Sequence, residues 1–319
     1  MPAKTSKQDV WDCIIIGGGP AGYTAGIYAG RAALRTLVLA GYKSGGQLMI
    51  ATDVEDYPGF PQGIKGPDLM KMMREQVGKF VEKIIDTDVT SVDLSKRPFK
   101  IVAEKKSYLA KTIIVATGAS AKWIGLPNEQ RLIGKGVSSC AVCDGWFFKG
   151  KQVAVIGGGD TALREALYLA NVTGGVTIIH RRSELRAQEI LQKRAFADKR
   201  IKFVWNAVVD DVLGKDRVDG LKLKDVNTGK SSELKVDGVF VAIGHTPNTA
   251  FLPKQILDEK GYVTVKGGVP GHSSTEIPGV FAAGDVYDYT YMQAVTAAAG
   301  GCIAAQDAHR FLQSEKGGD

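Results

Sequence analysis

Two cysteines near the middle of the chain are separated by only two residues. Cys140 and Cys143 lie in the run Cys-Ala-Val-Cys-Asp-Gly. This spacing permits a disulfide that closes and reopens under mild conditions, and a nearby positive charge can lower a thiol pKa enough to supply a thiolate. The same spacing also forms half of a zinc ribbon. The pair therefore predicts either redox chemistry or part of a zinc site.

The remaining cysteines argue against zinc. Cys13 and Cys302 are single, far apart in the sequence and placed in apolar runs, so they supply no second ligand pair. No histidine follows the cysteine pair at ligand spacing. We therefore predict no metal site and interpret Cys140 and Cys143 as a redox pair. Cys13 and Cys302 are expected to be buried core residues.

A glycine-rich turn follows the first predicted strand. Residues 11–16 form an apolar run typical of a buried strand, and an Ala-rich helix is predicted to end near Arg31. Between them, glycines would permit a tight turn and the close approach of a pyrophosphate to the helix N-terminus, although an incidental glycine-rich turn is the alternative. The next predicted strand, residues 36–40, ends without the carboxylate that usually binds an adenosine ribose. The turn consists of Gly17, Gly18, Gly19, Pro20, Ala21 and Gly22.

The same pattern returns about 140 residues later, counted from Gly17 to Gly157. The predicted strand is 152–156, the helix runs to about 171, and the strand after it is 175–179. Where an NAD enzyme has a carboxylate, this chain has arginines, whose guanidinium groups match the 2′-phosphate of NADPH. A solvated basic helix start is the alternative interpretation. The residues concerned are Gly157, Gly159, Asp160, Thr161 and Ala162 in the turn, and His180, Arg181, Arg182 and Arg186 after the strand.

Two such units amount to an internal repeat. They predict an α/β fold with two Rossmann-like dinucleotide-binding domains. We also expect a helix over 67–85, strands within 86–109 and over 112–116, an antiparallel meander over 203–234, and a helix over 292–305. A strand near 279–285 ends in Gly-Asp, and an Asp at that point could accept hydrogen bonds from a sugar-alcohol chain.

Composition limits the other possibilities. Hydrophobic residues make up 44% of the 319 residues, and the formal charge of +7 is spread along the chain. Nucleic-acid binding would require a basic stripe or tail, which the sequence lacks. No apolar run approaches the ~20 residues of a membrane span. The start, residues 1–9, is polar and has no signal-peptide core. We therefore expect a soluble, cytoplasmic protein that binds neither nucleic acid nor membrane.

Taken in order, these motifs resemble those of the low-molecular-weight thioredoxin reductases, which are flavoproteins with two dinucleotide-binding folds. The resemblance covers nearly the whole chain. It implies an FAD domain built from residues 1–120 and 247–319, with an NADPH domain, residues 121–246, inserted at hinges near 118–122 and 244–248. The most specific motifs, besides the second turn and its arginines, are Ala116-Thr117-Gly118, Cys140-x-x-Cys143-Asp144-Gly145, Gly244-His245-x-Pro247-Asn248-Thr249 and Phe281-Ala282-Ala283-Gly284-Asp285.

The resemblance also implies roles for individual residues. Cys143 is the thiol nearest the flavin, Cys140 is its partner, and Asp144 protonates the departing thiolate. The second turn and its arginines bind NADPH. Besides the first turn, Gly17 to Gly22, the implied FAD contacts are Gly46, Gln47, Asp56, Val89, Thr117, Gly118, Gly284, Asp285, Met292, Gln293 and Ala294.

Four positions depart from the family pattern. Val142 replaces the usual Thr, which is a mild change, Asp56 replaces an Asn, and Met292 replaces a basic residue. The resemblance therefore leaves the fine tuning of the flavin open and implies an unchanged reaction class. Arg164 stands where a carboxylate is common, and it either extends the basic NADPH surface or is an ordinary exposed helix residue.

The implied reaction carries electrons from NADPH through FAD and the cysteine pair to the disulfide of thioredoxin, in a homodimer. Three alternatives stay open. A flavin-dependent dithiol oxidase is disfavoured because its relatives tend to lack the arginine cluster. A reductase serving a peroxiredoxin usually carries an extra N-terminal thioredoxin-like part. A non-enzymatic nucleotide sensor would not need the cysteine pair.

Overall fold

The computed structural model describes residues 9–51, 53–266 and 272–316. The chain divides between residues 120 and 121 and again between 245 and 246. Residues 121–245 form one compact unit, called unit 2 below, and the described residues on either side of it form unit 1. The polar start used in the localisation argument lies, except for Asp9, outside the described residues.

Unit 1 begins with the predicted strand, turn and helix. Strand β1 (Val10–Ile16) pairs in parallel with β2 (Thr36–Leu39), and helix α1 (Pro20–Arg31) connects them. Both strands consist largely of buried apolar residues, as a parallel sheet covered on both faces requires. The following elements are α2 (Gly66–Val77), β3 (Lys83–Ile85), β4 (Val89–Asp93), β5 (Phe99–Ala103), β6 (Lys106–Val115) and β7 (Ala119–Ala121).

Two boundaries in this part differ from the sequence-based expectation. The helix predicted over 67–85 is wrong in its second half, because α2 ends at Val77 and β3 joins the sheet in parallel with β2. Helical periodicity and a short edge strand are hard to separate over three residues. The strand expected over 112–116 is the end of β6, which runs without a break from Lys106.

Unit 2 repeats the parallel arrangement. Its main sheet has the order β11-β10-β9-β15-β8, and β12, β13 and β14 form a separate antiparallel sheet. The expected meander over 203–234 is thus confirmed except at its start, because β11 belongs to the parallel sheet. The elements are α3 (Pro127–Leu132), β8 (Val137–Ser138), α4 (Ala141–Asp144), β9 (Gln152–Ile156), α5 (Asp160–Val172), β10 (Gly175–Ile179), α6 (Glu189–Ala197), β11 (Ile201–Val204), β12 (Ala207–Leu213), β13 (Gly220–Asp225), β14 (Ser231–Leu234) and β15 (Gly238–Val241).

The chain then returns to unit 1. Strand β16 (His245–Pro247) pairs with β7, and β17 (Val280–Ala282) joins the first sheet in parallel with β6. Helix α7 (Ala294–Lys316) is longer than the predicted 292–305 and packs against α1. The packing is so close that a Cβ at Gly301 would lie 2.1 Å from the Ala21 carbonyl oxygen.

The two single cysteines differ in burial. Cys13, in β1, is fully buried, as expected. Cys302, in α7, is only half-buried, so the prediction that it is a core residue is wrong. An Ala- and Gly-rich helix face does not reveal from sequence how much of it a neighbour covers.

Each unit therefore has a strand, a glycine turn and a helix in which the strand pairs in parallel with both of its neighbours, although β5 and β4 extend the sheet of unit 1 in antiparallel fashion. The predicted α/β class with two Rossmann-like units is confirmed. Among the described helices, none combines the length and apolar character needed to cross a membrane.

Candidate redox and dinucleotide sites

The first glycine turn is shaped by its own backbone. Gly17 has φ +124°, and a Cβ there would lie 2.1 Å from the Ala116 carbonyl oxygen. A Cβ at Gly22 would lie 2.0 Å from the Gly17 oxygen. At Gly19, by contrast, a Cβ would meet nothing within 4 Å. The glycines at 17 and 22 are therefore required by the protein fold, whereas Gly19 opens toward space that a ligand can enter.

Both turns lead into helices whose N-termini carry no side-chain cap. Gly19 precedes α1 and Gly159 precedes α5, and neither helix start is capped by a side chain. A Cβ at Gly159 would likewise meet nothing within 4 Å. Free amide groups and the helix dipole at such a start favour a phosphate group. The two turns thus fit the pyrophosphates of two dinucleotides.

Asp285 is a buried carboxyl in unit 1. It follows β17 on a short 3₁₀ turn (Gly284–Val286). Burial, with a smaller contribution from the negative charge of Asp288, raises the pKa of the Asp285 carboxyl to about 7. No hydrogen bond to this carboxyl forms within residues 9–51, 53–266 and 272–316. A buried carboxyl in this state fits a ligand that offers hydroxyl donors, such as the sugar-alcohol chain of FAD.

Some residues predicted for the FAD site come together around the first turn. A Cβ at Gly46 would lie 4.0 Å from the Gly19 Cα, and one at Gly284 would lie 3.0 Å from the Ala21 Cβ. Gln47 is exposed on the 3₁₀ turn that begins at Gly46. The loop after β17 and the loop after β2 therefore both reach the glycine turn.

Other predicted FAD residues lie elsewhere in unit 1. Asp56 is exposed and lines a surface cavity of about 360 Å³ formed by residues 55–61. Val89, in β4, packs against the core cluster that contains Ile14 and Ile16, whereas Ala21 belongs to the cluster that contains Cys13 and Ile15. Met292 has φ +50° and is followed by Gln293 and Ala294 at the start of α7.

Thr117 and Gly118 contact the returning chain. The Thr117 hydroxyl donates to the Asn248 carbonyl oxygen at 2.8 Å, and the Asn248 side-chain amide donates to the Thr117 carbonyl oxygen at 2.9 Å. The Asn248 backbone N–H donates to the Gly118 oxygen at 3.0 Å. These bonds join the two segments of unit 1 where the chain leaves this unit and returns to it.

Three guanidinium groups cluster after the second turn. Arg181, Arg182 and Arg186 are exposed and form no ion pair in the part of the chain that the structure describes. Burial lowers the pKa of His180, and the positive charges of all three arginines lower it further, which places them around one point. Such a cluster fits an additional phosphate group.

His180 occupies the inside of this site. It is buried, and its ring lies beneath Gly158, where a Cβ would come within 2.3 Å of the ring. Its Nε2 lies 3.0 Å from the Glu184 carbonyl oxygen. On the other side of the turn, Asp160 accepts a hydrogen bond from the Gln188 backbone N–H at 2.7 Å. These contacts hold the arginine segment against the turn.

The cysteine pair is closed as a disulfide. Cys140 and Cys143 have their Cα atoms 5.4 Å apart, and Cys140 caps the short helix α4. The Cys143 backbone N–H donates to the Cys140 Sγ at 3.2 Å, and the Cys140 N–H donates to the Ser138 hydroxyl at 3.0 Å. An amide aimed at Sγ stabilises a thiolate there when the disulfide opens. Asp144, the predicted acid, is the last residue of α4 and is half-buried.

Large apolar side chains close to the pair in sequence are exposed at the surface. Val142 is 53% exposed, Trp146 56% and Phe147 38%. The Lys149 ammonium lies 4.7 Å from the centre of the Trp146 ring. An exposed apolar cluster of this kind marks an interaction surface. Sequence reasoning missed it, although two adjacent aromatic residues directly after Cys-x-x-Cys-Asp-Gly could have indicated it.

A second residue that sequence reasoning missed is Glu165. It lies in α5, and its Oε2 atom is buried without a hydrogen-bond partner among the described residues. Burial raises the pKa of Glu165 to about 8. The backbone N–H of Ala141 donates to the carboxyl and lowers the pKa by a smaller amount. Its sequence position offers one weak signal, because it lies one turn from Ala162 and Leu169 on the buried face of the helix.

The zinc alternative finds no partner residues. Within the described ranges, no three His, Cys, Asp or Glu side chains are grouped so that they could hold a metal ion. The cysteine pair is engaged with itself.

Comparison with known proteins gives consistent relatives. The family model for pyridine nucleotide-disulphide oxidoreductases matches residues 11–301. A thioredoxin reductase from Coxiella burnetii is 48% identical over 315 residues, covering 97% of this chain and 98% of the relative. A glucosaminate ammonia-lyase from Pseudomonas fluorescens is 47% identical over 304 residues, covering 94% and 95%. The solved structure of a thioredoxin reductase from Giardia duodenalis has a TM-score of 0.91 and 41% identity, covering 96% of this chain and all of that one (100%).

Proposed function

The chain belongs to the pyridine nucleotide-disulphide oxidoreductase family, and from its sites we propose that it is an NADPH-dependent thioredoxin reductase containing FAD. One observation carries the proposal. The Cys140–Cys143 disulfide lies in the same unit as the turn followed by the arginine cluster, and exposed apolar side chains lie between and just after its cysteines in the sequence. A redox pair beside a surface that suits a protein, in the unit that binds a phosphorylated dinucleotide, is what this activity requires.

The two turns divide the cofactors between the units. We assign FAD to unit 1, where Gly19 leaves space at the start of α1 and Asp285 can accept hydrogen bonds from hydroxyl groups. We assign NADPH to unit 2, where Arg181, Arg182 and Arg186 match the 2′-phosphate. When bound, FAD supplies a two-electron carrier between NADPH and the disulfide. The domain boundaries at 120 and 246 and the remaining residues named for each cofactor belong to the same proposal.

The chain's own residues do the remaining work. When the disulfide is reduced, the S–S bond breaks and each sulfur gains one electron. The Cys143 N–H then stabilises the Cys140 thiolate, which attacks one sulfur of the partner disulfide and forms a mixed disulfide. Cys143 attacks the Cys140 sulfur of that bond, which releases the partner as a dithiol. We assign Asp144 the proton transfers at Cys143.

The partner is a thioredoxin. Val142, Trp146 and Phe147 give the pair an apolar border that a small protein with an apolar active-site surface can cover. Thioredoxin reductases at 48% and 41% identity support this substrate. We keep two further proposals with it. One is a cytoplasmic location, supported by the use of cysteine. The other is a homodimer, for which a cavity of about 600 Å³ lined by Tyr28 and Met72 in unit 1 is a candidate surface.

The spectrum of the purified protein tests the assignment first. A yellow protein that NADPH bleaches anaerobically at much lower concentration than NADH, and that an oxidised thioredoxin restores, is the expected result. A yellow protein indifferent to NADPH would mean that the arginines are misinterpreted. Restoration by oxygen alone would favour the dithiol oxidase, and restoration only by a peroxiredoxin would favour that system.

Serine at either cysteine separates the two halves of the reaction. Cys140→Ser and Cys143→Ser should each retain bleaching by NADPH and lose thioredoxin reduction by a factor of at least about 10³, because neither variant can form the disulfide. Thioredoxin turnover retained in both variants would refute the mechanism.

The relative named glucosaminate ammonia-lyase defines one competing activity. Elimination of ammonia consumes no reducing equivalents and uses no disulfide. Ammonia release from glucosaminate that persists in Cys140→Ser and without NADPH would favour this second function. We prefer the reductase because the cysteine pair and the arginine cluster are both present.

A further inference from the structure

A buried carboxyl connects two helices of unit 2. Glu165 lies in α5, the helix that begins at the second glycine turn, and its Oε2 is buried without a partner in the described ranges. The backbone N–H of Ala141, the first residue of α4, donates to the same carboxyl. The carboxyl therefore links the dinucleotide helix to the short helix that carries the redox pair.

Three amides at the start of α4 have three different acceptors. The Cys140 N–H uses the Ser138 hydroxyl, the Cys143 N–H uses the Cys140 Sγ, and the Ala141 N–H uses Glu165. Amides in the first turn of a helix have no partner within that helix and must find one outside it. The Cys140 Sγ is local to the turn, Ser138 lies in β8, and Glu165 lies in α5. Glu165 is therefore the acceptor that joins the redox turn to the helix of the second glycine turn.

Helices α4 and α5 pack closely near this carboxyl, whose Oε2 atom is buried. A Cβ at Gly145, directly after α4, would lie 2.9 Å from a methyl carbon of Leu169 in α5. Ala141 is buried in one cluster with Ala162 and Ala166. Burial in this contact is the main cause of the raised pKa of Glu165, about 8. At neutral pH the carboxyl is therefore mostly protonated.

Charged groups do not explain the environment of Glu165. Its pKa shift arises from burial and from the Ala141 amide, with no charged side chain contributing. The titratable residues on the helices that pack there are Asp144 on α4, Asp160, Arg164 and Tyr168 on α5, and Glu189, Lys193 and Arg194 on α6. The charges on α4 that change during the proposed reaction are those of the cysteine pair and of Asp144, to which the proton transfers at Cys143 are assigned.

We propose that Glu165 is a positioning residue for the redox pair, which holds the first turn of α4 and controls, through its own protonation, how easily the disulfide is reduced. The proposal rests on the proposed function only in its use of a Cys140 thiolate. A dithiol reagent reduces the pair by breaking the S–S bond, and the reagent becomes a disulfide while two electrons and two protons pass to the cysteines. Ionisation of Cys140 then places a negative charge near the first turn of α4. An ionised Glu165 would repel that charge, and a protonated one would not.

Glu165→Gln provides the test, because it keeps the size of the side chain and is neutral at every pH. Below pH 7, where Glu165 is protonated, the wild-type and variant proteins should reach the same ratio of dithiol to disulfide, within twofold. At pH 9.5, where the wild-type carboxyl is ionised, the wild-type disulfide should be about tenfold harder to reduce than that of the variant. A tenfold change corresponds to about 30 mV in the two-electron potential.

The measurement is the equilibrium of the full-length flavoprotein with dithiothreitol buffers from pH 6 to 10, followed by thiol trapping and mass analysis of the peptide that contains both cysteines. It requires neither NADPH nor thioredoxin, so it stands or fails independently of the proposed function. Glu189→Gln, the same change at an exposed carboxyl of α6, is the matched control and should behave like the wild type.

Two results would overturn the proposal. One is identical curves for wild type and Glu165→Gln at every pH. The other is a ratio of dithiol to disulfide that differs between wild type and Glu165→Gln by the same factor at every pH, which would mean that the residue only supports the fold. Glu165→Leu guards against a misfolded Gln variant, because it too lacks the ionisation. In Glu165→Leu the ratio of dithiol to disulfide should differ from that of the wild type at every pH, because the Ala141 contact is lost. As in Glu165→Gln, the disulfide should not become harder to reduce above pH 8 in the way that the wild-type disulfide does.

Discussion

The two glycine turns have the same plan but differ in what each must accommodate. In unit 1 the third glycine is obligatory, because a Cβ at Gly22 would lie 2.0 Å from the Gly17 carbonyl oxygen. In unit 2 the equivalent residue is Ala162, which is fully buried. A Cβ added at Gly157 would lie 2.7 Å from the Cβ of Ala162. The unit 2 turn therefore leaves room for one methyl group that the unit 1 turn excludes.

The helices behind the turns also have different neighbours. Helix α1 packs against α7, the last helix of the chain, and the contact requires Gly301. Helix α5 packs against α4, the redox helix, and a Cβ at Gly145, directly after α4, would lie 2.9 Å from a methyl carbon of Leu169. The helix after the glycine turn thus packs into the core of unit 1, whereas in unit 2 it packs against the helix that carries the redox pair. The motif alone does not determine which role the helix has.

The largest expected effect comes from exchanging the third residue of each turn. Gly22→Ala should destabilise unit 1 by about 3 kcal/mol or more, because the new methyl group overlaps backbone atoms. Ala162→Gly, the reciprocal change, should cost unit 2 only about 1–2 kcal/mol, from one lost buried methyl group and lower helix propensity. Urea unfolding of the two variants measures the difference. Equal losses would show that the two turns are equivalent after all.

The middle glycines should affect binding rather than stability. Gly19 and Gly159 have φ −89° and −101°, which alanine adopts readily, and both open into space. Gly19→Ala should weaken FAD binding and Gly159→Ala should weaken NADPH binding, each by at least about tenfold, because the methyl group occupies the path of the pyrophosphate. Calorimetric titration of each cofactor against both variants tests this. If each variant weakens the other cofactor instead, the assignment of cofactors to units is wrong.

The features of the fold and of the sites that the sequence predicts are the ones that act locally. Both turns and the arginines were predictable, because Gly17–Gly22, Gly157–Ala162 and Arg181 act through their local backbone and their own charge. The burial of Glu165 was not, because α4 covers it and no local pattern encodes that contact. Residues 83–85 were assigned to a helix for a related reason, since pairing with β2 decides their conformation. Contacts between distant segments are what local patterns leave out.

The arginine cluster should distinguish the units by specificity. Arg181→Gln combined with Arg182→Gln removes two guanidinium groups that are exposed and unpaired in the described chain. We expect KM for NADPH to rise by about 10- to 100-fold, with KM for NADH changed less than threefold, because only NADPH carries the 2′-phosphate. The flavin content should be unchanged. Equal increases for both nucleotides would mean that the cluster binds a group common to them.

The smallest effect concerns the buried carboxyl of unit 1. Because burial raises the pKa of Asp285 to about 7, the folded protein without cofactor holds a proton that the unfolded chain releases near pH 4. The stability associated with this group is therefore complete below pH 4 and is lost as the pH rises to 7. Asp285→Asn avoids the loss, so at pH 8 the cofactor-free variant should melt a few degrees higher than the wild type, while the two should agree at pH 4.

The same substitution should act in the opposite direction on the flavoprotein. Asn provides a weaker acceptor for hydroxyl groups than a carboxylate, so Asp285→Asn should lose FAD about tenfold more readily at pH 8. Calorimetry with and without FAD separates the two effects, and Asp53→Asn, the same change at an exposed carboxyl of unit 1, is the control for removal of a charge. A variant more stable both with and without FAD would show that Asp285 does not contact the cofactor. If Asp285→Asn stabilises the cofactor-free protein and destabilises the FAD-bound protein, the carboxyl lowers the stability of the cofactor-free fold and is retained because it binds the cofactor.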